Sequence, residues 1–192
     1  MPIHLQTPLT KQMLGQLKAG DEVWISGTIY TARDAAHARI VAAMEAGEAL
    51  PFDLQGTTIY DAGPTPNRPG RPVGALGPTT SGRMDAFAPA LLDAGLCAMI
   101  GKGERNQAVR EAVVRNGAVY FAAMGGAGAL LARAVKTREV IAYPDLQSEA
   151  VARLTVENFP CLVALDAHGG NAYMDGPQAY RQTLCNRDTC AE

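Results

Sequence analysis

The sequence predicts an α/β domain. β-branched and aromatic runs alternate with stretches of helical apolar spacing. A chain of 192 residues suits one domain, and 47% hydrophobic residues suffice for a sizeable core. Residues 23–30, "VWISGTIY", read as a strand. Residues 32–47 read as a helix, with Ala36, Ile40 and Met44 on one face and His37 and Val41 beside it. Thr31 with Asp34 fits a capping box, and Gly47 is a stop. A long loop rich in Pro and Gly follows, from 64 to 78; loops of that length often carry function. A helix is predicted from about 82 to 94 and a buried strand at 96–101. "ERNQAVREAVVRNG" is an amphipathic helix ending at Gly117, "AVYFAA" a strand, "GAGALLARAV" a short helix and "REVIAY" a strand. "PCLVALDAHGGNAYM" reads as a strand, a glycine turn and a second strand, and "PQAYRQTLC" as a helix. The early and late β segments point to a second layer of sheet.

Bulk composition narrows the function classes. A net charge of −2 and few aromatics give neither a basic patch nor a stacking platform for nucleic acid. No apolar run approaches the roughly 20 residues that span a membrane. The N-terminus lacks the apolar run and cleavage site of a signal peptide. The expectation is a cytoplasmic protein without nucleic-acid or membrane partners. Cys97, Cys161, Cys185 and Cys190 include no C-x-x-C pair and read as free thiols in a reducing compartment.

Three cationic residues share a setting. Arg33 follows the strand 23–30 in the first turn of a helix, Arg83 follows "GPTT" in another first turn, and Lys102 stands in "GKG" after the strand 96–100. In open α/β sheets ligands bind beyond the carboxyl ends of strands. Arg presents a planar fork that matches a carboxylate, and each charge-assisted hydrogen bond contributes about 1.5–3 kcal/mol. Two forks and a Lys would hold both ends of a four-carbon dicarboxylate. The same residues also suit solvated surface groups, with Thr79 and Thr80 as caps. His37 reads as packed or hydrogen-bonded, His168 as a turn residue. "MGGAGAL" (124–130) departs from G-x-G-x-x-G and reads as a close approach of helix and strand.

Four segments in order, "GTIYTARDAAHARI" (27–40), "GPTTSGRMD" (77–85), "GKG" (101–103) and "AAMGGAGALLA" (122–132), resemble the C-terminal domain of the class I fumarases. That domain is a separate β subunit in the split enzymes, and the L-tartrate dehydratase β subunit is similar. The resemblance covers residues 20 to 175. It implies a swivelling β/β/α three-layer domain over residues 1–192, with a polar tail from about 176. It implies an iron-sulfur hydro-lyase that interconverts fumarate and L-malate and is inactive without its α subunit. The [4Fe-4S] cluster is expected on that α subunit, so none of this chain's cysteines is assigned to it. The substrate-gripping positions fall on Arg33, Arg83 and Lys102, with Thr79 and Thr80 as the catalytic candidates. Thr79 is preferred for proton transfer, helped by a carboxylate of the α subunit. A dimer of αβ units is the expected assembly. "YTARDAAH" and "GPTTSGRMD" favour fumarate over tartrate. A tartrate dehydratase β subunit, a stand-alone dicarboxylate-binding module and a nucleotide-binding domain are the alternatives.

Overall fold

A computed structural model describes residues 1–67 and 69–188. The elements in order are β1 (Ile3–Gln6), α1 (Lys11–Leu14), β2 (Glu22–Thr31), α2 (Asp34–Glu45), β3 (Thr58–Tyr60), a 3-10 turn (Ser81–Met84), α3 (Ala88–Asp93) and β4 (Ala98–Gly101). They continue with α4 (Gln107–Asn116), β5 (Val119–Ala122), α5 (Gly128–Ala134), β6 (Val135–Ala142), a second 3-10 segment (Pro144–Glu149), β7 (Val151–Leu165) and α6 (Ala172–Asp188). The α/β class is as expected.

The strands form one ladder in the order β1-β2-β3-β4-β5-β7-β6. Strands β2 to β5 run parallel. The long β7 pairs antiparallel with β2, β5 and β6. Because β7 joins β5 back to β2, the ladder closes on itself. The ring encloses one core, built from alternate residues such as Ile25, Ile29, Ile100, Phe121, Leu154 and Phe159. The intervening residues, including Ile59, Met99 and Tyr120, turn to a second core with Ile40, Leu91 and Val113 of α2, α3 and α4. The two-residue period of a strand thus serves both cores at once. Helix α4 ends where predicted: Gly117 is left-handed (φ 62°) and its N–H caps the carbonyls of Val113 and Val114.

Four local expectations are corrected. Helix α2 begins at Asp34 with Arg33 in the N-cap position, and no capping box forms; the Thr31 hydroxyl is buried without a hydrogen-bond partner among the described residues. The single helix expected over 82–94 is a 3-10 turn and a separate α3, which has Pro89 at its start, where the missing N–H costs nothing. The strand expected from Pro160 begins at Val151. The strand expected after the glycine turn is instead the start of α6: the Asn171 side chain accepts from the Tyr173 N–H at 3.0 Å, and the Asp175 carboxylate accepts from the Asn171 N–H at 2.8 Å. The polar segment from 176 continues that helix to Asp188.

Candidate active site

Four parallel strands end on one edge of the ring, and hydrogen bonds tie together the segments that leave them. The Ala32 N–H donates to the Tyr60 carbonyl (3.2 Å), Asp61 N–H to Ile100 (2.8 Å) and Ala123 N–H to Gly101 (2.8 Å). The Pro/Gly loop brings the "GPTTSGRMD" segment back to this edge. Both the N–H and the hydroxyl of Thr79 donate to the Asp61 carbonyl, at 2.7 and 2.8 Å. Thr80 forms a parallel bridge with Lys102, and the Ser81 N–H donates to the Lys102 carbonyl at 3.0 Å. Arg33, Thr79, Thr80 and Lys102 therefore emerge from adjoining segments, at the location where open α/β sheets bind ligands.

The cations differ in their surroundings. Arg83 is exposed in its 3-10 turn, and Lys102 is exposed between two glycines; neither forms an ion pair among the described residues. The Lys102 Nζ lies 3.9 Å from where a Cβ on Gly125 would sit, so the "MGGAG" turn runs beside it. The next residue is held through both of its backbone polar groups: the Gly103 N–H donates to the Tyr173 hydroxyl at 2.9 Å, and the Tyr120 hydroxyl donates to the Gly103 carbonyl at 3.0 Å. Arg33 occupies the N-cap of α2 with extended backbone, rather than its first turn. Its Nη2 is 3.1 Å from Glu149 Oε1 and 3.7 Å from Asp34 Oδ1, and its Nε is buried without a partner among the described residues. Of the "GGAG" glycines, Gly128 serves a close approach between loop and helix: a Cβ there would lie 2.9 Å from the Gly77 nitrogen.

Beneath this edge lies a buried polar group; His37 is packed and hydrogen-bonded as its helix position predicts, whereas nothing in the sequence singles out Asp61 or Ser81 as buried. Asp61, His37 and Ser81 are each almost fully buried. His37 Nε2 stands 4.0 Å from Asp61 Oδ1, too far for a hydrogen bond, while its Nδ1 is 3.0 Å from the Arg33 carbonyl. Burial lowers the His37 pKa to about 4, keeping the ring neutral. Burial raises that of Asp61 to about 7, against the pull of Arg105 and the Ser81 hydroxyl. Among the described residues neither carboxyl oxygen of Asp61 reaches a partner in good geometry, although Ser81 is close enough to contribute to that pull. Gly101 makes room for the pair: a Cβ there would fall 1.7 Å from Ser81 Oγ and 2.9 Å from Asp61 Oδ2. Nearby, Arg105 donates to Asp85 at 2.5 Å and lies 4.9 Å from the centre of the Tyr120 ring. Asp85 also accepts from the Asn106 N–H at 2.7 Å, fixing the start of α4.

Residues 1–176 match the family model described as Fumarase C-terminus. The chain belongs to that family. It is 36% identical over 96% of its length to the aerobic class I fumarate hydratase of Escherichia coli. It is 37% identical over 89% of its length to fumarate hydratase 2 of Leishmania major. The chain spans about a third of the length of these fumarase relatives: 34% and 31%. A protein of Methanocaldococcus jannaschii, provisionally named the β subunit of L(+)-tartrate dehydratase, is 40% identical over 86% of this chain and 88% of its own length. This fumarase C-terminus domain thus covers most of the Methanocaldococcus chain and about a third of the two fumarate hydratases.

The described residues of the fumarase C-terminus domain do not fit an iron-sulfur cluster. No three of its His, Cys, Asp and Glu side chains gather as metal ligands among the described residues. Cys97 and Cys161 are buried free thiols, and burial pushes the Cys161 thiol up. The Cys185 side chain and all of Cys190 lie outside the described residues. No helix among them is long and apolar enough to cross a membrane.

Proposed function

We propose that this chain is the β-type portion of an iron-sulfur hydro-lyase, with fumarate and L-malate as its substrate pair. On this reading residues 1–192 act as one swivelling β/β/α unit. Arg33, Arg83 and Lys102 neutralise the carboxylates of the substrate. Removing a proton beside a carboxylate builds negative charge, and fixed cations stabilise that charge more in the transition state than in the ground state. The observation that carries the reading is the meeting of Arg33, Thr79, Thr80 and Lys102 at the carboxyl ends of parallel strands, with Arg83 exposed next to them.

Thr79 and Thr80 are the hydroxyls available for proton transfer. The Thr79 hydroxyl donates its proton to the Asp61 carbonyl, which leaves its lone pairs free to accept. A peptide carbonyl cannot take that proton away, so a base must come from outside this segment. A carboxylate of the α subunit is assigned that role. The cluster belongs to the same α subunit, and a dimer of αβ units is the proposed assembly, working in the cytoplasm.

The name of the Methanocaldococcus relative favours a second reading, in which the substrate is tartrate. The test is a substrate panel. The chain is co-purified with its cysteine-bearing α subunit and reconstituted with iron and sulfide without oxygen. Fumarate from malate is the expected product. Oxaloacetate from tartrate, with malate inert, would replace the substrate assignment. Dicarboxylate binding by the chain alone, with no co-elution of an α chain, would replace the reading by a stand-alone binding module.

A further inference from the structure

Arg33 is the one proposed substrate-gripping cation whose guanidinium is already engaged among the described residues. Its partner, Glu149, comes from a distant part of the chain, at the end of the 3-10 segment between β6 and β7. Glu149 Oε1 is 3.1 Å from Arg33 Nη2, and Oε2 accepts from the Ala35 N–H at 3.4 Å. One carboxylate thus bridges the guanidinium and the first turn of α2, which lacks a side-chain cap of its own. The pair is largely shielded, with the two side chains 20% and 24% exposed.

The segment that carries Glu149 is fastened at several points. Arg39 of α2 forks onto both oxygens of Asp145, at 2.9 and 2.5 Å, and its guanidinium carbon lies 5.2 Å from the centre of the Tyr143 ring. The Ser148 carbonyl comes within 2.6 Å of where a Cβ on Gly63 would stand, so only glycine permits that approach just beyond β3. Tyr143 and Gln147 both take φ of 53°, a costly conformation for residues with side chains that persists where the surroundings impose it. The Arg39–Asp145 fork on one side and the close approach to Gly63 on the other flank these two residues.

We propose that Glu149 is a positioning residue for Arg33, holding the guanidinium at the end of β2 with Nη1, neither buried nor bonded among the described residues, left for a substrate carboxylate. The inference rests on the reading of the chain as a hydro-lyase subunit. A freely rotating arginine would lose side-chain entropy on each binding event; a tethered one has lost it already. Arg33 contacts the substrate; Glu149 acts only through Arg33. A purely structural role for Glu149, as a cap for α2, would lower stability without changing substrate affinity.

The test is made in the reconstituted complex with the α subunit, with malate as substrate. Glu149→Ala is expected to raise KM about tenfold while kcat falls less than about threefold. Glu149→Gln keeps an acceptor for Arg33 and is expected to return KM to within about threefold of wild type. Arg33→Ala sets the upper limit of the KM effect. A KM within about twofold of wild type in Glu149→Ala, with Arg33→Ala impaired, overturns the inference and leaves the parent reading intact. Equal damage from Gln and Ala overturns it as well, and Gln carries the test if the Ala variant fails to fold. Inactivity of the wild-type complex toward every hydroxy-diacid overturns the parent reading and this inference with it.

Discussion

Replacing Asp61 by Asn should change how stability depends on pH, because Asp61 binds a proton in the folded chain that it releases on unfolding. Its pKa rises from the ordinary 3.8 to about 7, chiefly by burial. Between those values the folded state holds one more proton than the unfolded state, so stability falls as pH rises. About three pH decades at about 1.4 kcal/mol each give a loss of about 4 kcal/mol, complete above pH 7. His37 works in the opposite direction. Its pKa drops from 6.5 to about 4, so the unfolded state binds the extra proton and stability rises with pH across that window, by about 3 kcal/mol. In the wild type the two slopes nearly cancel between pH 4 and 6.5. The amide introduced by Asp61→Asn does not titrate, so the variant should expose the His37 slope. Relative to wild type, the variant should gain about 4 kcal/mol between pH 4 and pH 8. A constant offset from an imperfectly bonded amide leaves that difference unchanged. Urea titrations of both proteins at pH 4, 6 and 8 measure it. A difference that stays constant with pH, or a variant that loses ground toward pH 8, would mean that Asp61 is an ordinary carboxylate or the anion of a His37 ion pair, and not an acid kept protonated by burial.

Three further outcomes are expected. Arg83→Ala should lower turnover of the assembled enzyme by about a hundredfold or more, while thermal unfolding of the chain moves by no more than about 2 °C, since Arg83 is exposed and unpaired among the described residues; an unfolded variant would make Arg83 structural. Gly101→Ala places a methyl group against Ser81 and Asp61 and should destabilise the chain by about 1–3 kcal/mol in urea titration; an unchanged midpoint would mean that Ser81 moves aside freely. Tyr173→Phe removes the acceptor of the Gly103 N–H, and should cost about 1 kcal/mol and speed hydrogen exchange at that amide; unchanged exchange would show that the bond does not hold the Lys102 turn.

The parts of the fold legible in the sequence are those set by local pattern. The strand over 23–30, the helix closed by Gly117 and the buried strand before Lys102 follow from composition, period and a left-handed glycine. Boundaries fail where tertiary pairing overrides a local signal. Pro160 reads as a strand start, yet it stands inside β7 between the β6 ladder, which ends at Val156, and the β5 ladder, which begins at Leu162. One edge of β7 is unpaired there, and proline is tolerated. The candidate site divides in the same way. Arg33, Thr79, Thr80, Arg83 and Lys102 announce themselves as polar residues after strands and turns. Glu149 and Tyr173 carry no such signal, because only the fold brings them to Ala35 and Gly103. Asp61 is visible as the carboxylate closing the β-branched and aromatic "TTIY" run, but its burial depends on His37 and Ser81, from two other segments.

The most direct test of the central claim compares malate dehydration by the cluster-loaded α subunit alone with that of the same subunit after adding this chain. Fumarate formation, followed by its ultraviolet absorbance under strict exclusion of oxygen, should be negligible for the α subunit alone. It should appear on addition of the wild-type chain, and fail to appear with a chain lacking both Arg83 and Lys102 side-chain charges. An α subunit that turns over equally well without this chain would contradict the account.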